Sequence, residues 1–476
     1  MLLRTLWITG AAVGALTASA HGQSAGETMP SNDELYRELK ALRAEVAQFR
    51  AERDDSQIAD RRAAEIKAIV ADVLADADTR ASLLQSGLTA GHDGSAFFVA
   101  SADGAFVLKV GGQIQARYML NSRDGTGVDN WEGGFQLRRV KVNFGGHIGS
   151  PRLEYFVQFA ANRDSGSVEL EDTMIAWRPA DDVRLWGGRF QDSFAREQMM
   201  SSKRQQAVDR SAAANIFAAN DGYVEGFGIE WTALPDSLKL ALTVNDGMNS
   251  GTPGGSSTGF LGAGNDFQND ATDFALTARA DVKLAGDWRQ NADVASWSGD
   301  EGSALFLGAG LHYEVGETGD SQASATTAAT GPYDSFLQWT LDGLYKSGGL
   351  GVMAAFYGWH FDATDANAFG DTDHYAATIQ AGYMIVPDEL EPFIRYEWIE
   401  IDDALTADND LQFITVGLNY YLAAHNAKFT TDIVFALDNI NAVNTLGTGL
   451  SGIGLLTDDA DENDQAVWRA QFQLLF

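Results

Sequence analysis

The chain has 476 residues with 50 Gly, 8 Pro and no Cys, and its formal charge at pH 7 is −33. This charge excludes nucleic acid as a partner, because a protein needs a basic surface to bind a phosphate backbone. After the first twenty positions there is no run of about eighteen apolar residues, so a bundle of transmembrane helices is also excluded.

The first twenty residues have the pattern of a secretory signal peptide. Arg4 supplies the positive charge, residues 6–16 form the apolar stretch, and residues 18–20 (Ala-Ser-Ala) fit a cleavage site. A short buried helix is the alternative. We expect residues 1–20 to be removed during export through an inner membrane, so that the mature chain begins near His21.

Residues 31–85 differ from the rest of the chain, because Glu, Arg, Ala and Leu dominate them. Ser31 and Glu34 form a capping box at the start of a helix. The next apolar positions are spaced 4, 3, 4 and 3 residues apart, as in a coiled-coil seam: Leu35, Leu39, Leu42, Val46 and Phe49. We predict a periplasmic helical coiled coil over 31–85. A single amphipathic helix lying on the rest of the protein or on a periplasmic partner is the alternative.

From residue 97 onward the sequence has a period of two. The apolar face of the first segment carries Phe106, Leu108, Val110, Ile114, Ala116, Tyr118 and Leu120. The opposite face carries Lys109, Gly111, Gln113, Gln115 and Arg117. Such alternation over about ten or more residues is typical of a transmembrane β-strand, whereas the strands of soluble sandwiches are usually shorter.

Sixteen such segments follow one another, from 105–120 to 464–476. A closed bacterial barrel requires an even number when both chain ends face the periplasm. Connections after even-numbered segments are short, such as 149–151 and 347–349, and those after odd-numbered segments are mostly longer and polar. Short periplasmic turns and long outer loops alternate in this way in membrane barrels. The long connection 285–303 breaks the rule, and the pattern does not explain it.

The ends of these segments favour a membrane location. Trp and Tyr recur there, for example at Trp177 and Trp231, where amphipathic rings prefer the membrane interface. The last segment alternates strictly to a terminal Phe476, which resembles the assembly signal of outer-membrane barrels. We predict an all-β fold, a 16-stranded antiparallel transmembrane β-barrel over 97–476. It would lie in outer-membrane lipid of a Gram-negative bacterium, preceded by the short N-terminal α-helical coiled coil.

The sequence offers no constellation for catalysis. None of the seven His forms an H-x-x-x-H pair, G-x-S-x-G is absent, and there is no Cys to act as a nucleophile. Carboxylates are numerous but spread through loops, where a solvated role is usual. We predict a water-filled lumen with no catalytic residue, no metal and no cofactor. A barrel lipase or protease is the enzymatic alternative.

The second segment changes its parity in the middle. Phe135 and Leu137 face outward if Arg138 faces inward. Further along, Val140 faces outward and Arg139 faces inward. A β-bulge between the two Arg would turn both into the lumen, because one extra residue re-aims the side chains. An Arg left on the lipid face near mid-membrane would cost about 2–4 kcal/mol. Snorkelling of one Arg to the interface is the alternative.

Two stretches carry a family resemblance. Residues 135–146, Phe-Gln-Leu-Arg-Arg-Val-Lys-Val-Asn-Phe-Gly-Gly, resemble the F-x-L-R-R-a-R-l-x-f-x-G segment of the phosphate-selective porin O/P family. Residues 183–197 and 209–211 are similar to that family's l-x-x-G-q-f-k-x-P-f-s-x-E…m-e-R-s pattern, with Ser193 in place of its Pro. The resemblance implies a homotrimer of sixteen-stranded barrels. It also implies a loop after the fifth barrel strand folded into the lumen, and Arg residues along the pore.

The alternating faces and the resemblance together give the candidate pore-lining and anion-binding residues: Lys109, Arg117, Arg138, Arg139, Lys141, Arg189 and Arg210. By position, Arg138 and Arg139 match the family's paired pore Arg, and Arg210 matches the Arg of its inward loop. The expected partners are outer-membrane lipid and small anions or other hydrophilic solutes. The expected function is passive diffusion through an Arg-lined constriction that favours phosphate or other anions.

The charge distribution leaves two other functions open. Residues 97–210 hold 15 Lys and Arg against 14 Asp and Glu, whereas 211–476 hold 8 against 38. Lumen-facing Glu397 and Asp432 would then oppose the Arg wall and weaken selectivity. One alternative is therefore an acidic general porin that passes cations or sugars. The other is a structural barrel whose coiled coil tethers the outer membrane to the cell wall.

Overall fold

The computed structural model describes residues 33, 37, 39–45, 87–94, 96–124, 131–162, 166–218, 222–247, 274–300, 302–315, 333–363, 370–406, 410–441, 450, 452–456 and 463–476. The chain divides into two compact units, Met1–Ser82 and Leu83–Phe476. In the first unit, residues 39–45 are helical and exposed. The signal segment 1–20 and most of the predicted coiled coil 31–85 lie outside the described residues.

The described part of the second unit is built almost entirely of strands. In chain order they are β1 (Leu88–His92), β2 (Phe97–Ser101), β3 (Val107–Asp124), β4 (Trp131–Ile148), β5 (Ser150–Ala161), β6 (Val168–Ala180), β7 (Val183–Gln191), β8 (Tyr223–Leu234), β9 (Leu238–Asn245), β10 (Phe274–Ala285), β11 (Ala304–Val315), β12 (Tyr333–Ser347), β13 (Leu350–Ala363), β14 (Thr372–Tyr383), β15 (Leu390–Glu400), β16 (Asp410–Ala423), β17 (Ala427–Ala436) and β18 (Asn463–Leu475). The short helices are α1 (Arg196–Met199), α2 (Ala212–Phe217) and the 3-10 helix Trp288–Ala292. Within the described ranges, no helix has the length and apolar character needed to cross a membrane.

Strands β3 to β18 form one closed antiparallel ring. Each pairs with the next along the chain, and β18 pairs with β3, where Leu474 lies opposite Ile114. Closure leaves no strand edge in the membrane, so the backbone N–H and C=O groups of the wall bond to neighbouring strands. The predicted 16-stranded barrel is confirmed, and each of the sixteen predicted segments overlaps one strand of the ring.

The two faces of the wall follow from the alternation of side chains. On the outer face, large apolar side chains such as Phe135, which is 85% exposed, and Phe227 are uncovered by protein. On the inner face, polar and charged side chains such as Arg117 and Arg469 are buried. Apolar side chains are stable in hydrocarbon and charged ones in a lumen. The outer wall therefore has the apolar character of a surface suited to hydrocarbon.

A hairpin precedes the barrel and spans residue 97, where the sequence predicts that the barrel begins. β1 pairs with β2, and β2 pairs with the start of β3, where Val99 lies opposite Leu108. Barrel strands are tilted and staggered, and β18 pairs with β3 only as far as Gln113. The hairpin pairs with the start of β3, along the edge that β18 leaves open. Five residues in each strand are too few for the period-two pattern to identify them.

The last residue lies at the seam of the ring. The Gly112 N–H donates to the Phe476 carbonyl at 2.7 Å, and the Phe476 N–H donates to the Gly112 carbonyl at 3.2 Å. A Cβ on Gly112 would lie 2.3 Å from the Phe476 ring, so a larger residue here would displace the ring from its present position. The terminal Phe thus joins the last strand to the first strand of the barrel.

The two ends of the barrel differ. Tight turns, such as those at 149 and 348–349, join strands at one end, which we call the short-turn end. The longer connections, such as the one between β3 and β4, join strands at the opposite end, which we call the long-loop end.

The connection 286–303 between β10 and β11 is long although it lies at the short-turn end, and we call it the cap. Its Trp297 packs edge-on against Tyr421, with ring centroids 4.9 Å apart. Its Asp293 lies 2.5 Å from Lys346 Nζ and 3.0 Å from His425 Nε2. These contacts show why the connection is long, because it folds back over part of the short-turn mouth.

Candidate pore constriction

The connection 192–222 between β7 and β8 folds into the lumen, and we call it the inward loop. Asp192 begins it by accepting a hydrogen bond from Thr243 Oγ1 at 2.8 Å. Gly310 on β11 lets the loop approach the wall, since a Cβ there would lie 2.4 Å from the Phe194 carbonyl oxygen. An inward loop at this position is what the family resemblance implies.

An apolar core fills one side of the lumen. Phe217 of α2 packs on Trp359 of β13 with ring centroids 4.4 Å apart, and Trp359 Nε1–H donates to the Phe217 carbonyl at 3.3 Å. Other buried members of this core include Phe336, Tyr357, Ile399, Phe413, Val434, Leu450, Ile453 and Leu455. The alternation rule does not predict them, because it assigns polar side chains to the lumen face. The core holds the inward loop against the wall.

The predicted β-bulge is present in β4. Gln115 lies opposite Arg139, and the next residue of β3, Ala116, lies opposite Leu137, so Arg138 is the extra residue. Both Arg side chains therefore reach the lumen. The prediction drawn from the change of parity is confirmed, and the snorkelling alternative is wrong.

Three Arg side chains meet at Asp209 of the inward loop, and we call them the Arg trio. Asp209 Oδ2 accepts from Arg138 Nε at 2.7 Å and from Arg117 Nη1 at 3.3 Å. Asp209 Oδ1 accepts from Arg139 Nη2 at 2.9 Å. Burial by itself raises the pKa of Asp209, but the three guanidinium charges outweigh it and hold that pKa well below its usual range. The carboxylate is ionised and offsets one of three positive charges.

Glu397 and Asp432 occupy different surroundings from those expected. Glu397 Oε1 lies 2.9 Å from Arg395 Nε, and Asp432 Oδ1 lies 2.7 Å from Arg469 Nε. Each acid also accepts a backbone N–H of the inward loop, at 3.1 Å and 2.9 Å respectively. They are ion-paired anchors of the loop, and Arg395 and Arg469 balance their charge locally. Their effect on selectivity stays a prediction.

Arg210 and Arg189 make other contacts. Arg210 donates to three backbone carbonyls of the inward loop, at 3.2, 3.1 and 3.2 Å, and so stabilises the fold of the loop itself. Arg189 Nε donates to the carbonyl of Glu171 at 3.0 Å, and its Nη1 lies 3.5 Å from Glu225 Oε1. Arg210 therefore supports the inward loop, and Arg189 links its own strand, β7, to the neighbouring strands β6 and β8.

A second bulge, in β6, turns an acidic pair into the lumen. Glu171 is the extra residue in the pairing of β6 with β5. Lys141 Nζ lies 2.7 Å from Glu171 Oε2, and Gln158 Nε2 donates to Glu171 at 2.9 Å and to Asp172 at 3.1 Å. The sequence prediction omits both acids. Two adjacent like charges in an alternating strand nevertheless indicate a bulge here, as they do in β4. The described residues hold no group of three or more His, Cys, Asp or Glu that could bind a metal.

Two cavities lie beside the inward loop. The narrower, of about 240 Å³, lies mainly between the inward loop and β3–β6, and its charged lining residues are Lys141, Lys203, Arg210 and Asp172. It shares Asn143 and Lys203 with a cavity of about 870 Å³ at the short-turn end. The cations of the wider cavity are Lys109, Arg184, Lys203, Arg204, Arg289 and Lys346. Its acids are Glu154, Asp293 and Asp300.

Lys203 and Arg204 lie on the inward loop where the two cavities meet. Burial, and then the neighbouring Arg204 charge, lower the pKa of Lys203. In the part of the chain that the structure describes, neither residue forms an ion pair with a carboxylate. By contrast, Lys109 lies 2.6 Å from Asp93 of the hairpin. Lys203 and Arg204 are functional candidates that the sequence prediction misses, because only the fold of the loop shows what they face.

The fold and the constriction together define a class of protein. A closed ring of antiparallel strands with an apolar outer wall, a charged lumen and an inward loop is an outer-membrane channel for the passive diffusion of small hydrophilic solutes. The model of the phosphate-selective porin O and P family matches residues 108–436, and the chain belongs to this family. Its location is the outer membrane of a Gram-negative bacterium.

Individual relatives are distant in sequence. Porin O of Pseudomonas aeruginosa is 21% identical over 363 residues, which are 68% of this chain and 82% of that protein. The structure of OmpF from Salmonella typhi, solved in complex with daunomycin, has a TM-score of 0.52 at 14% identity and covers 81% of this chain and 100% of its own. An anion-selective porin from Comamonas acidovorans has a TM-score of 0.51 at 11% identity and covers 78% and 99%. The two structures show a shared fold.

Proposed function

We propose that this channel prefers anions and that the preference arises where the inward loop narrows the lumen. The observation that carries the proposal is the lining of the narrow cavity, in which Lys141, Lys203 and Arg210 face Asp172. Fixed positive charge in a narrow passage raises the local concentration of anions and lowers that of cations. The wider cavity extends the excess of cations toward the short-turn end.

The net charge of −33 does not oppose this proposal. Carboxylates on exposed loops are screened beyond a Debye length of about 8 Å at physiological salt. In the narrow passage, fixed cations act through a lower effective dielectric than that of bulk water.

The predicted site residues would contribute in two ways. Lys109, Lys141 and Arg210 line the cavities, and phosphate or another small anion would pass beside them. The Arg trio and Arg189 would act from the wall through their charge, because the trio exceeds the Asp209 carboxylate by two positive charges.

The reversal potential of the purified channel in a KCl gradient tests the proposal. We expect chloride to be more permeant than potassium. The double variant Lys203→Ala/Arg204→Ala should lower the chloride-to-potassium permeability ratio about threefold, because both cations face the passage. Arg152→Ala is the matched control, since Arg152 pairs with Asp181 on the exposed surface and should leave the ratio unchanged. A wild-type channel that prefers potassium would contradict the proposal.

We further propose that the protein is a homotrimer, with the helical segment 31–85 in the periplasm and with residues 1–20 removed on export. The family resemblance supports a trimer. In the single chain Leu39 and Leu42 are 54% and 64% exposed, and burial of these seam positions between copies would be favourable. The apolar outer wall would contact outer-membrane lipid.

A further inference from the structure

The Asp209 carboxylate occupies the point at which the three guanidinium groups of the trio meet. Nitrogens of Arg117, Arg138 and Arg139 lie 3.3, 2.7 and 2.9 Å from its oxygens. Guanidinium groups hold carboxylates and phosphates through the same kind of contacts. The Asp209 side chain is 1% exposed, so it fills this point and separates it from solution.

The trio is also held from the side away from Asp209. Arg117 Nε donates to Gln136 Oε1 at 2.7 Å, and Arg139 Nη1 donates to Gln115 Oε1 at 3.0 Å. The bulge in β4 fixes the backbone that carries Arg138 and Arg139. The Gln contacts come from the barrel wall and do not involve Asp209, so the guanidinium groups of Arg117 and Arg139 keep these contacts when the carboxylate is removed. The Arg138 side chain is 22% exposed, so the Arg trio is in contact with solution through Arg138.

We infer that Asp209 is a specificity-determining residue, a built-in anion that fills the oxyanion site of the Arg trio and prevents solute anions from binding tightly there. In the native channel, anions pass the constriction under the net positive field without a long residence on the trio. Loss of the carboxylate converts the same wall into a saturable site for phosphate. The inference rests on the proposed function only in that anions must reach the constriction.

The test measures how inorganic phosphate inhibits the chloride current of the full-length channel in planar bilayers. Asp209→Ala removes the carboxylate and leaves space for an oxyanion. Its half-inhibitory phosphate concentration should be at least about tenfold below that of the wild type, because two or three guanidinium groups become available. Adding Arg138→Ala and Arg139→Ala to this variant should restore the wild-type value. Asp209→Asn fills the same space without charge, so it should raise chloride permeability and leave phosphate inhibition near the wild-type value.

Asp432→Ala is the matched control. Asp432 also pairs with an Arg and also accepts a backbone N–H of the inward loop, but Arg469 is its partner and not the trio. If Asp209→Ala acted only by loosening the inward loop, Asp432→Ala should become equally sensitive to phosphate. That result would overturn the inference. Retained heat-modifiable migration on gels shows that each barrel is folded, and Asp209→Ser replaces the Ala variant if that one does not fold.

Two further results would also overturn it. One is an equal half-inhibitory concentration in folded Asp209→Ala and wild-type channels. The other is tight phosphate inhibition of the wild type that disappears in the Arg138→Ala/Arg139→Ala variant, since the trio would then already be open. A potassium-selective wild type would contradict the proposed function instead, and it would leave the phosphate comparison intact.

Discussion

One extra residue in β4 determines how charge is arranged in the constriction. Without the bulge at Arg138, one of two adjacent Arg would face lipid, at a cost of about 2–4 kcal/mol near mid-membrane. With the bulge, three guanidinium groups lie close together and repel one another. Asp209 relieves this repulsion and ties the inward loop to the wall, so a single carboxylate links local strand geometry to the shape of the passage.

Replacing Arg138 and Arg139 together with Ala should lower the anion-to-cation permeability ratio by about fivefold, because the Asp209 charge then faces Arg117 with two fewer cations nearby. The reversal potential in a KCl gradient measures the ratio. The barrel should still fold, since its wall depends on backbone hydrogen bonds. An unchanged ratio in a folded channel would show that the pair does not contribute to the field in the passage.

The paired Arg could be predicted from sequence because a lipid-facing charge is costly and its avoidance leaves a change of parity in the strand. The role of Asp209 could not, since it depends on where a loop far along the chain folds back. The contact between Arg139 and Asp209 joins positions 70 residues apart. The inward position of Glu171 could also be predicted from sequence, because its strand has two adjacent like charges, as β4 does.

At the scale of elements, the cap should respond to acid. Burial first, and then the charges of Lys428 and Arg204, lower the pKa of His425 to about 4 against the opposing effect of Asp293. When the cap is released from its contact with His425, the pKa of His425 returns to its ordinary value of about 6.5. As the pH falls from about 6.5 to 4, the released state binds a proton and the docked state does not. Acidification over this range therefore destabilises docking of the cap.

Hydrogen exchange of the cap measures this effect. The protection factors of residues 286–300, normalised to the intrinsic exchange rate at each pH, should be lower at pH 5 than at pH 7.5, and His425→Gln should remove most of that difference. His360→Gln is the control, because His360 lies at the long-loop end beside Asp373 and should leave the pH dependence of the cap unchanged. Equal protection factors at both pH values would contradict a docking equilibrium linked to His425.

Long strands were predictable and short elements were not. Alternation over a dozen residues identifies a wall strand such as β11, because one face must meet lipid along its whole length. The five-residue strands of the hairpin lack that constraint, and β2 is fixed instead by the edge that β18 leaves open. The cap follows neither rule, since contacts such as that of Trp297 with Tyr421 join separate parts of the chain.

At the scale of the whole molecule, two surfaces can supply the association energy of the proposed trimer: the helical segment and the barrel walls. Replacing Leu39 and Leu42 with Asp in the full chain should weaken oligomers, because charge at seam positions opposes their burial. Chemical cross-linking in detergent would show a smaller trimer fraction. Arg43→Ala is the control, since Arg43 lies outside the seam. An unchanged trimer fraction would place the association in the barrel walls.

The seam between β18 and β3 has a consequence for the kinetics of assembly. Gln115 and Gln473 meet across it at 2.7 Å, yet 358 residues separate them along the chain. Joining such distant segments costs conformational entropy before the seam contacts can offset that cost. This pairing is therefore slow and comes late. Until it forms, β3 and β18 each present an unpaired edge that can pair with other chains. Ring closure should therefore be the slowest step of folding, and a newly exported chain is most prone to aggregate just before it.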